Sequence, residues 1–271
     1  MSGAVISFLT DYGLVDEFVG VCKSVIAQLA PDCRVIDISH DIEPHDIRAG
    51  SLTLVRAVQY MADGVVLAIV DPGVGTARRA VAVSAGSLVF VGPDNGLMAP
   101  AVAMLGGAIG AVELTNPAFH LRAPGPTFAG RDIFAPVAAR LSSGTPMEEF
   151  GPMIDPVTLL PSVLPLTRTS GENHEILIGE VLWVDRFGNA QLNVDPSEIE
   201  GFGDVLSLRW GGLLKTTRTG HRANTYADVK TGQVGLIVDS YGLLSICLDR
   251  HSAAAELGLS AGMSVTLSVA V

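Results

Sequence analysis

Two apolar patterns succeed one another along the chain. Up to about residue 165, short β-branched runs alternate with segments of helical spacing. Ala4 to Leu9, Arg34 to Ile38 and Val65 to Val70 read as buried strands. Between the first two, Phe18, Val21, Val25, Ile26 and Leu29 recur at helical spacing, with Asp16 and Glu17 suited to the start of that helix. Asp46 is placed to cap a second helix running to about Met61. Ala80 to Ser84 and Leu88 to Val91 predict a hairpin across Ala85-Gly86-Ser87, followed by a turn at Gly92 to Gly96. The uncharged stretch Asn95 to Val112 is long enough to span a membrane. Pro100 and Gly106-Gly107 break it, so it reads as a buried helix and then a strand. A further helix is expected near Asp132 to Leu141. This alternation implies right-handed crossovers and an α/β domain, a mainly parallel sheet flanked by helices.

The rhythm then changes. Pro156, Pro161 and Pro165, followed by Ser170 to Asn173, mark a linker. Beyond it, Glu175 to Trp183, Ala190 to Val194, Val205 to Trp210, Gly235 to Val238, Leu243 to Leu248 and Ser264 to Val269 are short β-rich runs between turn signals. They predict a smaller all-β domain, an antiparallel sheet or barrel. The expected domains are 1–165 and 174–271.

Composition narrows what such a protein binds. Of 271 residues, 48% are hydrophobic and 17% charged, enough apolar material for sizeable cores. A formal net charge of -11 argues against a nucleic-acid partner and accords with a cationic small ligand. Cys22, Cys33 and Cys247 have neither disulfide-like parity nor CxxC spacing, which fits reduced cytoplasmic thiols and no zinc site. The N-terminal apolar run is short and lacks a basic flank, unlike a signal peptide.

Candidate chemistry collects at strand exits. Thr10-Asp11-Tyr12-Gly13 ends the first strand, His40 to Asp46 follows the second, and Asp71-Pro72-Gly73-Val74-Gly75-Thr76-Ala77-Arg78-Arg79 follows the third. In a parallel sheet these loops share the carboxyl edge, where ligands bind. Asp71 and a nearby guanidinium suit orienting a water, a phosphate or an ammonium; they equally make a surface ion pair. Arg131-Asp132 reads as an anion clamp or as a structural ion pair at a helix start. In the second domain, Asp185-Arg186-Phe187-Gly188-Asn189, Thr225-Tyr226 and Asp239-Ser240-Tyr241-Gly242 offer aromatic faces and amides. These suit a nucleobase, though the same residues are ordinary hairpin-turn chemistry.

Taken in order, Thr10 to Gly13, Asp71 to Arg79, Pro93 to Gly96, Pro126 to Pro136, Asp185 to Asn189 and Ser240-Tyr241-Gly242 resemble the S-adenosyl-L-methionine (SAM) hydroxide adenosyltransferases. These SAM hydrolases are relatives of the fluorinase and chlorinase enzymes. The resemblance covers nearly the whole chain. It implies SAM as substrate, no cofactor, and a cytoplasmic homotrimer with sites at subunit interfaces. It further implies that Asp11 holds the ribose hydroxyls, that Phe187 and Tyr226 sandwich adenine, and that Asn189 bonds its edge. Asp185 would take the methionine ammonium and Ser240 its carboxylate. His45 falls where the fluorinase has a tryptophan near the ligand. Asp71 and Arg78 match two of the three residues with which such hydrolases position water, leaving Arg79 as a surface charge.

The third, a histidine within Thr-Phe-His-Gly-Arg-Asp, is replaced by Ala129 in Thr127-Phe128-Ala129-Gly130-Arg131-Asp132. The fluorinase has Tyr at Asp71 and Ser at Gly130; the chlorinase has Gly at that last position and Tyr at Val74. A carboxylate at the nucleophile's place repels halide and accepts a hydrogen bond from water. The alternatives are a chlorinase-like halogenase, a SAM- or adenosine-binding protein with little turnover because Ala129 lacks the imidazole, and a metal hydrolase built on Asp11, Asp71 and Asp94.

Overall fold

The computed structural model describes residues 4–162, 164–171, 175–212 and 215–270. The chain forms two compact units, Met1–Val163 and Leu164–Val271.

In the first unit, β1 (Val5–Thr10), α1 (Phe18–Leu29), β2 (Arg34–Ser39), α2 (Ile47–Val58) and β3 (Gly64–Ile69) follow the predicted alternation. The hairpin of β4 (Ala80–Ala85) and β5 (Leu88–Pro93) comes next, then α3 (Ala99–Met104) and β6 (Gly110–Glu113). A single π-helical turn, Gly130–Phe134, runs directly into α4 (Ala135–Ser142), and β7 (Met153–Ile154) closes the unit. The sheet order is β2-β1-β3-β5-β4-β6-β7. From β2 to β5 all neighbours are parallel; from β5 to β7 they are antiparallel. The hairpin causes the change, because a two-residue loop, Gly86-Ser87, returns the chain beside its own strand and leaves no room for a crossover.

Helices cover both faces. Val65, Leu67 and Ile69 pack with Val19, Cys22 and Ile26 of α1 and Ala138 of α4. Val66, Ala68 and Val70 pack with Leu54 and Val58 of α2 and Met98 and Val102 at α3. Burial on both faces explains the unbroken apolar run of β3. Asp46 caps α2 as expected, its carboxylate accepting from Ala49 N at 2.8 Å, an interaction that typically contributes about 1 kcal/mol. The uncharged stretch is short α3 and β6, and among the described residues no helix is long and apolar enough to cross a membrane.

The proline-rich segment is not a free linker. Residues 155–160 are fastened to the first unit: Arg79 donates to Thr158 Oγ1 at 3.1 Å and to its carbonyl, and Leu160 N donates to Asp94. Ser170 ends a strand of the second unit; Glu172 and Asn173 lie outside the described residues.

That unit contains β8 (Arg168–Ser170), β9 (Ile176–Val184), β10 (Ala190–Leu192), β11 (Val205–Trp210) and β12 (Thr216–Arg222). After these come β13 (Val234–Val238), β14 (Leu244–Leu248), α5 (Ala253–Leu257) and β15 (Ser264–Val269). The order is β10-β14-β13-β12-β11-β15-β9-β8, and β10 also pairs with β9, so β9 to β15 close into a barrel with β8 appended. All its pairings are antiparallel except β12 with β13. Closure removes the open edges that would otherwise invite aggregation. Leu177, Leu192, Leu206, Leu208, Leu236, Ile246 and Leu267 fill its interior.

Two of the thiols report on packing, Cys22 on the α1 side of the first unit and Cys247 in a small cluster with Val229 and Ile237. Burial pushes Cys22 up to about 12 and Cys247 up to about 11, whereas Cys33 is partly exposed. Since the thiolate is the reactive form, a colorimetric disulfide reagent at pH 8 should titrate one thiol, Cys33, in the folded protein and all three in denaturant. Rapid reaction of two or more thiols without denaturant would contradict this core assignment.

Candidate active site

The α1 crossover carries the chain from β1 to β2 on one side, while β3 lies on the other, so the β1/β3 boundary is a topological switch point. Clefts at such points open at the carboxyl strand ends. Asp11 and Asp71 stand there, just beyond β1 and β3, and Asp11 N donates to Ile69 O at 3.3 Å. The β1 exit is held from below. Buried Thr10 pairs through Oγ1 with His40 Nδ1 at 2.8 Å and accepts from Tyr12 N at 3.1 Å. Gly13 N donates to His40 O at 2.8 Å. His45 closes the other side in a left-handed conformation (φ 71°), its N–H donating to Asp11 Oδ2 at 2.9 Å. Asn95 secures the β3 exit by donating from Nδ2 to Val70 O at 2.8 Å.

Asp11, His45 and Asp71 line one cavity of about 260 Å³. Asp71 meets Arg78 in a forked ion pair: Nε lies 2.9 and 3.0 Å from the two carboxylate oxygens, and Nη2 also bonds Oδ2. Both side chains are largely buried, and the guanidinium lies 5.2 Å from the centre of the Phe134 ring. Such planar, two-point pairing fixes the carboxylate's orientation far better than a lysine would. Arg79 is not a surface charge. It pairs through Nε and Nη2 with buried Asp94 at 2.9 and 2.6 Å. Asp94 lines a different, mostly apolar cavity, so it does not join Asp11 and Asp71 in a shared metal site. Among the described residues no cluster of His, Cys, Asp and Glu suits a metal ion.

The third wall comes from the segment leading into the π turn. Phe128 and Gly130 line the cavity; Ala129 is buried in the α1/α4 core and caps the turn. Isolated π turns recur at functional sites because the extra residue redirects the backbone. Arg131 and Asp132 pair with each other, Nε to Oδ1 at 2.6 Å, which is the structural reading of that dipeptide. Tyr12 and Phe18 complete an aromatic wall with Phe128, ring centres 5.1 to 5.8 Å apart. The sequence assigned Phe18 to the apolar face of α1 and gave none of these three aromatics a role in the site. The only available signal for Tyr12 was its place beside Asp11 at a strand exit.

In the second unit, Asp185 organises its own turn. Oδ1 accepts from Phe187 N at 2.9 Å and Asn189 N at 2.8 Å, and Oδ2 from Asn189 Nδ2 at 2.8 Å. Asn189 Nδ2 also reaches Tyr226 Oη at 3.4 Å, so Asp185, Asn189 and Tyr226 are brought together. Burial and the nearby Asp185 raise the Tyr226 phenol above its ordinary value. Phe187 is 79% exposed and Tyr226 48%. The expected turn chemistry is therefore present, and it leaves aromatic faces open. Asp239 stabilises the second turn, accepting from Tyr241 N, Leu243 N, Gln191 Nε2 and Ser245 Oγ, and Ser240 is exposed beside it.

The family model for the SAM hydroxide adenosyltransferase N-terminal domain matches residues 6–151, and that for the C-terminal domain matches residues 179–266. The chain is 45% identical to an (R)-S-adenosyl-L-methionine hydrolase of Salinispora tropica over 95% of each chain. It is 42% identical to one of Thermus thermophilus over 96% of this chain and 98% of the other. A crystal structure of an uncharacterized conserved protein from Thermotoga maritima superposes with a TM-score of 0.88 at 34% identity, covering 97% of this chain and 99% of that one.

Proposed function

The chain belongs to the SAM hydroxide adenosyltransferase family, and from that premise we propose that it hydrolyses SAM to adenosine and L-methionine. The observation that carries this reading is the buried, forked Asp71–Arg78 pair in the switch-point cavity. A water oxygen attacks C5′ of SAM; the C5′–S bond breaks with its electron pair staying on sulfur, and methionine leaves as a neutral thioether. The leaving group needs no acid and the reaction no cofactor. It needs an oriented water and an in-line C5′. Asp71, with its geometry locked by Arg78, accepts a hydrogen bond from that water and passes its proton towards solvent. The carboxylates of Asp11 and Asp71 also favour a cationic sulfonium. At about 260 Å³ the cavity is small for a nucleoside amino acid, and it suits the reacting end of one.

The remaining roles are proposals of the same reading. Asp11 binds the ribose hydroxyls through Oδ1, since His45 N occupies Oδ2; His45 thereby shapes the ribose pocket through its backbone. Phe187 and Tyr226 stack adenine and Asn189 bonds its edge, a role supported by their open faces. Asp185 takes the methionine ammonium and Ser240 the carboxylate. A cytoplasmic homotrimer, with sites completed by a neighbouring subunit, goes with this reading; native mass spectrometry tests the assembly.

Purified protein incubated with SAM should release adenosine and methionine in equal amounts, unaffected by chelator. Both sulfonium epimers belong in the assay, because the similar hydrolases are named for the (R) form. SAM that binds by calorimetry yet stays intact would leave a binding protein. Chloride-dependent 5′-chloro-5′-deoxyadenosine would make it a halogenase.

A further inference from the structure

Tyr12 carries a polar group that the mechanism above does not use. Its ring is wedged between Phe18 and Phe128, and it lines the same cavity as Asp71. Among the described residues its hydroxyl makes no hydrogen bond, and it is not one of the fully buried unpartnered atoms, so it is open to that cavity. Gly130 explains how the hydroxyl fits: a Cβ built on Gly130 would collide with Tyr12 Oη, so the space that a side chain there would fill holds the phenol oxygen instead. A phenol oxygen held by its aromatic neighbours at the cavity wall, with no protein partner, is available to bond whatever polar atom the cavity holds.

Resting on the hydrolase reading, we propose that Tyr12 Oη is the second protein group on the attacking water, donating a hydrogen bond to its oxygen while Asp71 accepts from its proton. As the water proton moves to Asp71 and the new C5′–O bond then forms, Tyr12 keeps its own proton and steadies the hydroxide character on oxygen. With the proton moving to Asp71 ahead of C5′–O bond formation, negative charge gathers on the oxygen and the Tyr12 hydrogen bond strengthens towards the transition state, which makes it an aid to rate more than to binding. Burial, with Cys22, Asp11 and Asp71 nearby, pushes the phenol well above its ordinary range, so it stays a donor at any working pH.

Tyr12→Phe deletes the oxygen and keeps the ring. With SAM as substrate, kcat should fall about 10²-fold, as for loss of one preorganised donor, at unchanged KM and melting temperature. Should Tyr12→Phe fail to fold, Gly130→Ala stands in for it, keeping the phenol but displacing its oxygen, and the same loss in kcat is expected. A variant with wild-type kcat, or with a changed KM alone, overturns the role of Tyr12 while leaving hydrolysis intact. A wild-type protein that forms no adenosine overturns the hydrolase reading itself, and the Tyr12 role with it.

Discussion

Asp71→Asn should lower the rate of adenosine formation about 10²–10⁴-fold, the range spanned by positioned acid–base groups. The substitution preserves shape, and its amide oxygen can still accept from Arg78 Nε. What it removes is the charge that a water proton is drawn towards. Two further effects go with it. Arg78 becomes a largely buried cation without its counter-charge, and removing one partner of such a pair commonly costs about 3–5 kcal/mol. The retained hydrogen bond places this variant at or below the low end of that range, several degrees in melting temperature. SAM affinity should fall less than kcat, because the carboxylate acts on the water more than on the nucleoside. The measurement is kcat and KM by chromatography at a temperature where a thermal melt shows the variant folded. A folded Asp71→Asn enzyme with wild-type kcat would remove Asp71 from the chemistry and leave its pair with Arg78 as architecture.

This centre was legible early because its acids are tied to topology. A strand buried on both faces announces itself as an unbroken apolar run, and the polar residue that ends it must lie at the sheet edge. The strands ending at Thr10 and Ile69 satisfied that logic, and register then placed their exits side by side. Other features depend on contacts that no local pattern encodes. Thr216 to Arg222 escaped recognition as β12 because its buried position is Gly220, pressed by Leu208 and Leu236. A strand whose inward residue is glycine shows no apolar alternation. Arg79 looked like surface charge because its partners, Asp94 and Thr158, are brought to it by folding. The space for the Tyr12 hydroxyl depends on Gly130, far along the chain. In the second unit, sequence could not separate turn chemistry from ligand chemistry because Asp185 and Asn189 make the turn and leave Phe187 and Tyr226 open at once.

Ala129→His should act in the opposite direction, raising kcat by about 10²–10⁴-fold if the imidazole reaches the water. Position 129 is well placed for a general base. It caps the turn that leads into α4, and its neighbours Phe128 and Gly130 line the cavity. Amide dipoles at a helix start disfavour a nearby cation, so an imidazole there is held in the neutral form that accepts a proton. The obstacle is volume. Ala129 is 7% exposed within the α1/α4 core, and a ring forced into that core would cost about 1–3 kcal/mol in overpacking. The favourable rotamer is the one that leaves the core for the cavity. A pH profile separates a base from a mere change in packing. Activity gained through a neutral imidazole should rise with pH through an apparent pKa of about 6–7 and be lost below it, a limb that the wild-type protein would lack. A variant that folds and binds SAM but shows neither the gain nor the limb would mean that water at this site is managed without an imidazole. The nucleophile's environment would then rest on Asp71, Arg78 and Tyr12 alone.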